Sequence, residues 1–254
     1  MSELAKVLDR TEHRPYPLPD GSWVLRMRWR DLLFMHWRVP EEVLRPLIPQ
    51  ALRLDSFDGS AWLGVVPFRM ESVRPRFLPA VPWLSSFPEL NLRTYVTHEN
   101  KPGLWFFSLD AHNPMAVRLA RATFGLPYFD AKMSCRVSRD AVHYRSVRTH
   151  KGALPARFVA SYRPVGEQFG SCTGTLESFL TERYCLYSAG VNGERHVRRG
   201  DIHHELWPLQ RAEAEVEELE MTSQIGVTLP ETEPLLHYAR RLDVVAWAPK
   251  RITT

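Results

Sequence analysis

The stretch Glu89-Leu90-Asn91-Leu92-Arg93-Thr94-Tyr95-Val96 alternates polar and apolar side chains with a period of two. On a strand this places Glu89, Asn91, Arg93 and Tyr95 on one face and Leu90, Leu92 and Val96 on the other. A polar row on an average strand faces water. Here the next extended stretch, Trp105-Phe106-Phe107-Ser108-Leu109, is apolar on both faces, which sets its neighbour inside a sheet rather than at an edge. An acid, an amide, an arginine and a tyrosine in one row then suit the polar wall of a cavity, where charges must be paired to be tolerated.

Outward from this strand the chain reads as many short strands with few helices. Glu89 to Thr97 and Leu104 to Asp110 form a predicted hairpin, turned by Asn100-Lys101-Pro102-Gly103. Trp23, Leu25, Met27 and Trp29 alternate with Val24, Arg26, Arg28 and Arg30 as in a half-buried strand, which runs on extended from Leu32 to Arg38. Pro40-Glu41-Glu42 opens a short helix, with proline at its first position and acids in its first turn, and Pro49 ends it. Ala61 to Phe68 is an apolar run that reads as a buried strand. Residues 75–88 hold Pro75, Pro79, Pro82 and Pro88 beside Trp83 and Phe87. That stretch is too broken for regular structure and fits a lid over a pocket or packing over a barrel mouth.

Asn113-Pro114 caps a predicted helix through Arg121, and Asp110 just before it is most simply part of the same cap. Ala131, Met133, Cys135 and Val137 share one strand face, and Val142, Tyr144 and Ser146 return beside them. Phe158 to Tyr162 adds a strand, Thr175 to Thr181 a short helix, and Ala212 to Val216 a strand on the strength of its alternation. There is no internal repeat and no βαβ rhythm. The expected fold class is α+β: an antiparallel sheet closed into a β-barrel to hide its edges, with a few flanking short helices. Residues 1–20, polar and carrying three prolines, are expected to form an N-terminal arm, and residues 21–254 a single domain.

With 44% hydrophobic and 24% charged residues, a chain of 254 residues can bury a sizeable core. The formal charge of +4 and sequence pI of about 9.1 raise the question of a nucleic-acid partner. Only Lys6, Lys101, Lys132, Lys151 and Lys250 are lysines, and the arginines lie among acids. The one dense run, Arg195-His196-Val197-Arg198-Arg199, sits between Gly193 and Gly200 and reads as a solvated turn. No nucleic-acid partner is expected. No apolar run approaches the ~20 residues needed to cross a bilayer, and the N-terminus lacks a secretory signal, so no membrane partner is expected and the compartment is read as cytoplasmic. Cys135, Cys172 and Cys185 are odd in number, widely spaced and without a CxxC, which argues against a disulfide framework and a zinc site.

Other candidates for chemistry are few. His36 stands among large apolar residues between Met35 and Trp37, where a hydrogen-bonded core histidine is the bland reading and a ligand contact the sharp one. His203-His204-Glu205 lacks metal-site spacing, since adjacent strand residues face opposite ways. No GxSxG elbow, phosphate loop or dinucleotide glycine motif occurs. Neither a metal nor a cofactor is expected.

Several stretches together are similar to the YqjF-like family of uncharacterised bacterial proteins. They include His36-Trp37 with the Pro40 helix, residues 54–59, Trp62 to Phe68, Glu89 to Val96, Phe107 to Ala111, Leu126-Pro127-Tyr128, Phe179 to Tyr184 and Trp207-Pro208-Leu209. More distantly the chain resembles acetoacetate decarboxylase, whose family fold is a cone-shaped antiparallel β-barrel with flanking helices. The matching segments are Arg30 through Arg38 with the helix and Pro49, Phe107 to Asp110, and Arg121 to Pro127. In that family a proline is followed by two lysines; one forms a Schiff base and its neighbour lowers the pKa. Here Tyr128 and Phe129 follow Pro127, and neither can form an imine. The resemblance also matches Arg30 to an arginine at the barrel entrance and Glu89 to an active-site glutamate. Lys132 is the nearby lysine, on the strand side away from Ala131 and Met133.

These readings predict one internal pocket for a small, partly apolar carboxylate or ketone. Glu89 and Arg93 are the catalytic candidates, and Arg30, His36, Asn91, Tyr95, Tyr128 and Lys132 the ligand-binding ones. The activity would be a lyase or hydrolase type without a Schiff base. A non-catalytic ligand-binding protein, and a structural or interaction protein using aromatics around Trp83 and Phe87, stay open beside it. A homo-oligomer follows from the resemblance alone.

Overall fold

In a computed structural model, which describes residues 7–81, 83–139, 141–189 and 197–252, strands dominate and helices are few. The strands are β1 (Leu25–Val39), β2 (Arg53–Leu54), β3 (Ala61–Pro75), β4 (Phe87–His98), β5 (Lys101–Ala111), β6 (Tyr128–Ser138) and β7 (Ala141–Arg148). They continue as β8 (Arg157–Phe169), β9 (Cys185–Ser188), β10 (Arg198–His204), β11 (Leu209–Leu219), β12 (Leu235–Ala246) and β13 (Lys250–Arg251). The helices are α1 (Glu41–Leu44), α2 (Pro114–Phe124) and α3 (Leu176–Thr181).

Hydrogen-bonded pairing runs from β4 through β5, β6, β7, β8, β11, β12, β1 and β3 back to β4. A second circuit leaves β5 for β9, passes to β10 and β12, and returns through β1 and β3. The pairings β5–β6 and β5–β9 are parallel, against an expectation of antiparallel strands throughout. Between β5 and β6 the chain crosses over through α2, the kind of connection a parallel pair requires.

Two apolar clusters follow from the two circuits. One contains Leu33, Met35, Leu90, Leu92, Tyr144, Phe158, Tyr162 and Tyr238; the other contains Met27, Phe34, Phe68, Tyr95, Phe106, Tyr128, Leu180 and Trp207. Strands β1, β3 and β4 are therefore buried on both faces over residues 32–37, 61–68 and 89–97. Irregularities decide which side chain faces which cluster. Asp31, at φ 53 and within a register shift of the β1–β3 pair, inserts one residue into β1. Met27 and Trp29 thus share a side with Leu32 and Phe34, while Arg30 falls on the other. The β4–β5 register shifts between Leu92 and Arg93, so Phe106 and Leu109 face the same interior although they are three residues apart.

Local elements follow the sequence with several differences. The β4–β5 turn is Glu99-Asn100, not residues 100–103. Both are at positive φ (48 and 60), as in a two-residue mirror-image turn matched to strand twist, and Lys101 and Pro102 already pair with His98 and Thr97. The irregular segment after β3 shrinks, covering residues 76–81 and 83–86 among those described, and Phe87 is buried. Asn113 caps α2, its Oδ1 accepting from Met115 N at 3.1 Å and Ala116 N at 3.2 Å. Left-handed Gly125 (φ 64) closes the helix after Phe124, three residues beyond Arg121. Arg198 and Arg199 belong to β10 rather than to a turn; Arg195 and His196 lie outside the described residues. From Val7 onward the N-terminal segment lies on β10: His203 Nε2 bonds Val7 O at 2.7 Å and Arg14 Nη1 donates to Ile202 O at 2.9 Å.

Asp110 is not a cap. It is fully buried, and Arg148 donates to it from Nε at 3.0 and 3.1 Å and from Nη2 at 2.6 Å. Burial pushes its carboxyl up, to about 6, against the pull of Arg148. Arg148→Ala should destabilise the fold by about 3–5 kcal/mol in urea unfolding, because it strands the Asp110 carboxylate. Adding Asp110→Asn should return part of that loss.

Candidate functional site

A cavity of about 180 Å³ lies within the second circuit, under α2. Its wall is mostly apolar, with Trp29, Phe68, Phe87, Phe106 and Trp207 among its rings. Ala116, Leu119, Ala120 and Thr123 of α2 form one side. Leu119 is also 59% exposed, which puts the mouth at this helix.

The polar wall comes from β4 and the start of β6: Glu89, Asn91, Arg93 and Tyr128 all line the cavity. Side-chain alternation brings the first three to one face. The parallel β5–β6 pairing, with Leu109 opposite Tyr128 and Asn91, carries the fourth alongside. Tyr128 Oη donates to Glu89 Oε2 at 3.0 Å. Burial pushes the Glu89 carboxyl up to about 8, and hydrogen bonds with Tyr128 and Asn91 pull it only part of the way back. Glu89 therefore holds a proton at neutral pH. Its backbone oxygen is anchored by Tyr144 Oη at 2.7 Å.

Arg93 is 6% exposed, and among the described residues no carboxylate lies within ion-pair distance of it. Its Nη2 donates to Leu180 O at 3.2 Å and reaches Tyr95 Oη at 3.5 Å. Its guanidinium lies 5.3 Å from the Phe34 ring centroid. Nε has no partner, nor does Asn91 Oδ1. Two other buried arginines are matched, Arg148 by Asp110 and Arg183, which also lines the cavity, by Asp55 at 2.6 Å; Arg14, outside the cavity lining, donates instead to the backbone oxygens of Ile202 at 2.9 Å and Tyr16 at 3.2 Å. A buried cation without a counter-ion is costly unless an anion joins it.

His36 and Tyr95 stand behind this wall rather than in it. His36 Nε2 and Tyr95 Oη are 2.7 Å apart, and Tyr95 Oη donates to Leu180 O at 2.8 Å. Burial holds His36 neutral, its pKa well below the usual value. The pair fixes the carbonyl and hydroxyl that Arg93 uses. Gly64 leaves the room for this: a Cβ there would come within 3.1 Å of His36 Cδ2 and 3.3 Å of Arg93 Cγ.

Two candidates lie elsewhere. Arg30 points away from the cavity because the Asp31 insertion reverses the alternation, and its Nε sits 3.9 Å from Glu71. Lys132 is exposed, on the face opposite Ala131 and Met133. Among the described residues no lysine lines the cavity. Sequence reasoning missed Arg183, Asp201 and His204, which also line it. His204 is neutral, its pKa lowered by burial to about 4, and stacks on Tyr184 at 4.7 Å. Nothing in the spacing of these three signals a shared wall. Among the described residues no cluster of acidic, histidine or cysteine side chains could hold a metal.

The DUF2071 model, which describes an uncharacterized conserved protein, matches residues 26–243. The uncharacterized protein YqjF of Bacillus subtilis (strain 168) is 46% identical over 239 residues, 94% of this chain and 97% of that one. Among solved structures, acetoacetate decarboxylase from Legionella pneumophila is similar with a TM-score of 0.61 at 12% identity, covering 97% of this chain and 95% of that one. The enduracididine biosynthesis enzyme MppR complexed with pyruvate has a TM-score of 0.62 at 10% identity, covering 94% and 93%. At these identities the likeness is one of fold.

Glu89 offers a direct test. The folded state keeps its proton up to about pH 8, whereas the unfolded chain releases it near pH 4.5. Between those values the folded state binds more protons, so the group's contribution falls as pH rises, by up to about 1.4 kcal/mol per pH unit. Glu89→Gln removes that slope. Urea unfolding from about pH 5 to about pH 8 should show the variant gaining on the unsubstituted protein as pH rises. Parallel curves would mean an ionised Glu89.

Proposed function

The chain belongs to the DUF2071 family of uncharacterized conserved proteins and has the acetoacetate-decarboxylase fold, and from that premise we propose that it takes a small, partly apolar carboxylate or ketone into this cavity and handles it without a Schiff base. Residues 21–254 act as one barrel domain around the cavity, with residues 1–20 as an arm. The observation that carries the reading is Arg93, a buried guanidinium on the cavity wall with no carboxylate beside it. A ligand carboxylate supplies the missing counter-charge.

The rest of the cavity supports the same class. At ~30 Å³ per water-sized group, a volume of about 180 Å³ suits a ligand of the size of a short keto acid or a small aromatic acid. Its body packs on the apolar wall. Asn91 Oδ1 and the indole nitrogens of Trp29 and Trp207 belong to cavity-lining residues and lack partners, which leaves polar groups for a second functional group. Protonated Glu89, hydrogen-bonded to Tyr128, can donate to a ligand carbonyl and take the proton back, the requirement for a general acid–base group at neutral pH. That favours a lyase or hydrolase type of activity over passive storage. With no lysine on the wall among the described residues, imine formation has no nucleophile there. MppR, of similar fold, is known complexed with pyruvate, itself a small keto acid.

Calorimetric titration with short keto acids and aromatic carboxylates tests the reading. Binding is expected for the acids and weakened about tenfold or more by Arg93→Gln, the loss of a charge-assisted hydrogen bond. The corresponding amides should bind no better to the unsubstituted protein than to the variant. Borohydride with a bound keto acid should leave the chain's mass unchanged. Acid binding that ignores Arg93→Gln, or a reduced covalent adduct, would overturn it.

A further inference from the structure

Residues 76–81, residues 83–86 and the outer side of α2 form a face beside the cavity mouth at Leu119. Phe77, Leu78 and Trp83 are 89%, 58% and 67% exposed, and Met115 and Leu119 of α2 are 55% and 59% exposed. The two segments are tied together, since Asn113 Nδ2 donates to Trp83 O at 3.2 Å and Leu84 O at 3.4 Å. Single exposed apolar side chains are ordinary; five large ones on two joined segments mark a contact surface. Phe77 sits at φ 71 with the Arg76 guanidinium 4.9 Å from its ring centroid. Bulky residues rarely adopt that backbone conformation.

The charge of this face is one-sided. Residues 72–88 and 111–129 contain no Asp or Glu, but they contain Arg74, Arg76, Arg118 and Arg121. Among the described residues none of these four has a carboxylate within ion-pair distance. Two-fold pairing of this face with a second copy would bring two faces of like charge together. Aromatic and aliphatic side chains interleaved with uncompensated arginines are instead the composition of a surface that rests on anionic headgroups.

We propose that the face formed by residues 76–81, residues 83–86 and α2 docks on an anionic lipid surface. The aromatic and aliphatic side chains enter the headgroup layer and the arginines meet its phosphates. Docking sets the cavity mouth at Leu119 against the bilayer surface. No helix among the described residues is long and apolar enough to cross a membrane; the contact is peripheral, and it departs from the sequence expectation of no membrane partner.

Flotation of the full chain with phosphatidylcholine vesicles, with and without phosphatidylglycerol, is the experiment. Binding is expected to the phosphatidylglycerol vesicles at low salt and to weaken as salt screens the arginines. Trp83→Ser with Phe77→Ser should weaken it by about tenfold or more, and Arg76→Gln with Arg118→Gln should remove the preference for the anionic lipid. Circular dichroism melting of the variants separates lost binding from lost folding; if either pair unfolds, the single substitutions Leu78→Ser and Arg118→Gln take its place. No flotation with phosphatidylglycerol, flotation that the variants leave unchanged, or a chain that is a dimer in light scattering until Trp83 is replaced would each overturn the proposal. Because none of these residues meets Arg93, failure here leaves the carboxylate titration standing, and the reverse.

Discussion

Strands β1, β3 and β4 are buried on both faces, and that single constraint governs the molecule. In a sheet with one wet face, a polar side chain can be sent to water by alternation. Where both faces are covered, each side chain goes to one apolar interior or the other, so a polar group there is satisfied within the protein or left for a ligand. Small irregularities then have large effects. One inserted residue at Asp31 sends Trp29 and Leu32 to the same interior and turns Arg30 away from it. The strand is held there because Tyr238 Oη donates to Asp31 Oδ1 at 2.8 Å, Arg69 to Oδ2 at 3.1 Å, and Tyr162 to its backbone oxygen at 2.7 Å. The left-handed residue is clamped from three strands.

The cavity wall on β4 carries a consistent electrostatic design. Glu89 is deprived of water and of any nearby cation, so it stays neutral and costs little. Arg93 cannot neutralise itself in that way. It is held instead by a carbonyl, a hydroxyl and two aromatic faces, which disperse its charge without cancelling it. An acid that is neutral beside a base that is charged leaves the wall net positive, and a ligand carboxylate is the natural complement. His36 and Tyr95 contribute by fixing geometry from behind.

The same fold can thus keep its cavity while the chemistry inside changes. An imine-forming enzyme needs an amine on the wall; this wall carries an arginine, an amide, a carboxylic acid and a phenol in its place. Tyr128, where the resemblance would put lysine, bonds Glu89 and so helps to hold the proton that the acid keeps.

The sequence by itself determined the strand-rich class, the two-residue period that gathers Glu89, Asn91 and Arg93 on one face, the capped helix at Asn113 and the lack of lysine after Pro127. These are local properties, set by periodicity, capping and residue chemistry along one stretch of chain. It did not determine that Asp110 pairs with Arg148, that Arg183, Asp201 and His204 share the cavity, or that Arg30 and Lys132 stay out of it. Those outcomes depend on strands that are far apart in sequence, and on bulges that reverse alternation without leaving a mark in composition. Only the tertiary structure could decide that Arg93 stands alone, because the presence or absence of a counter-ion is a property of every element packed around it.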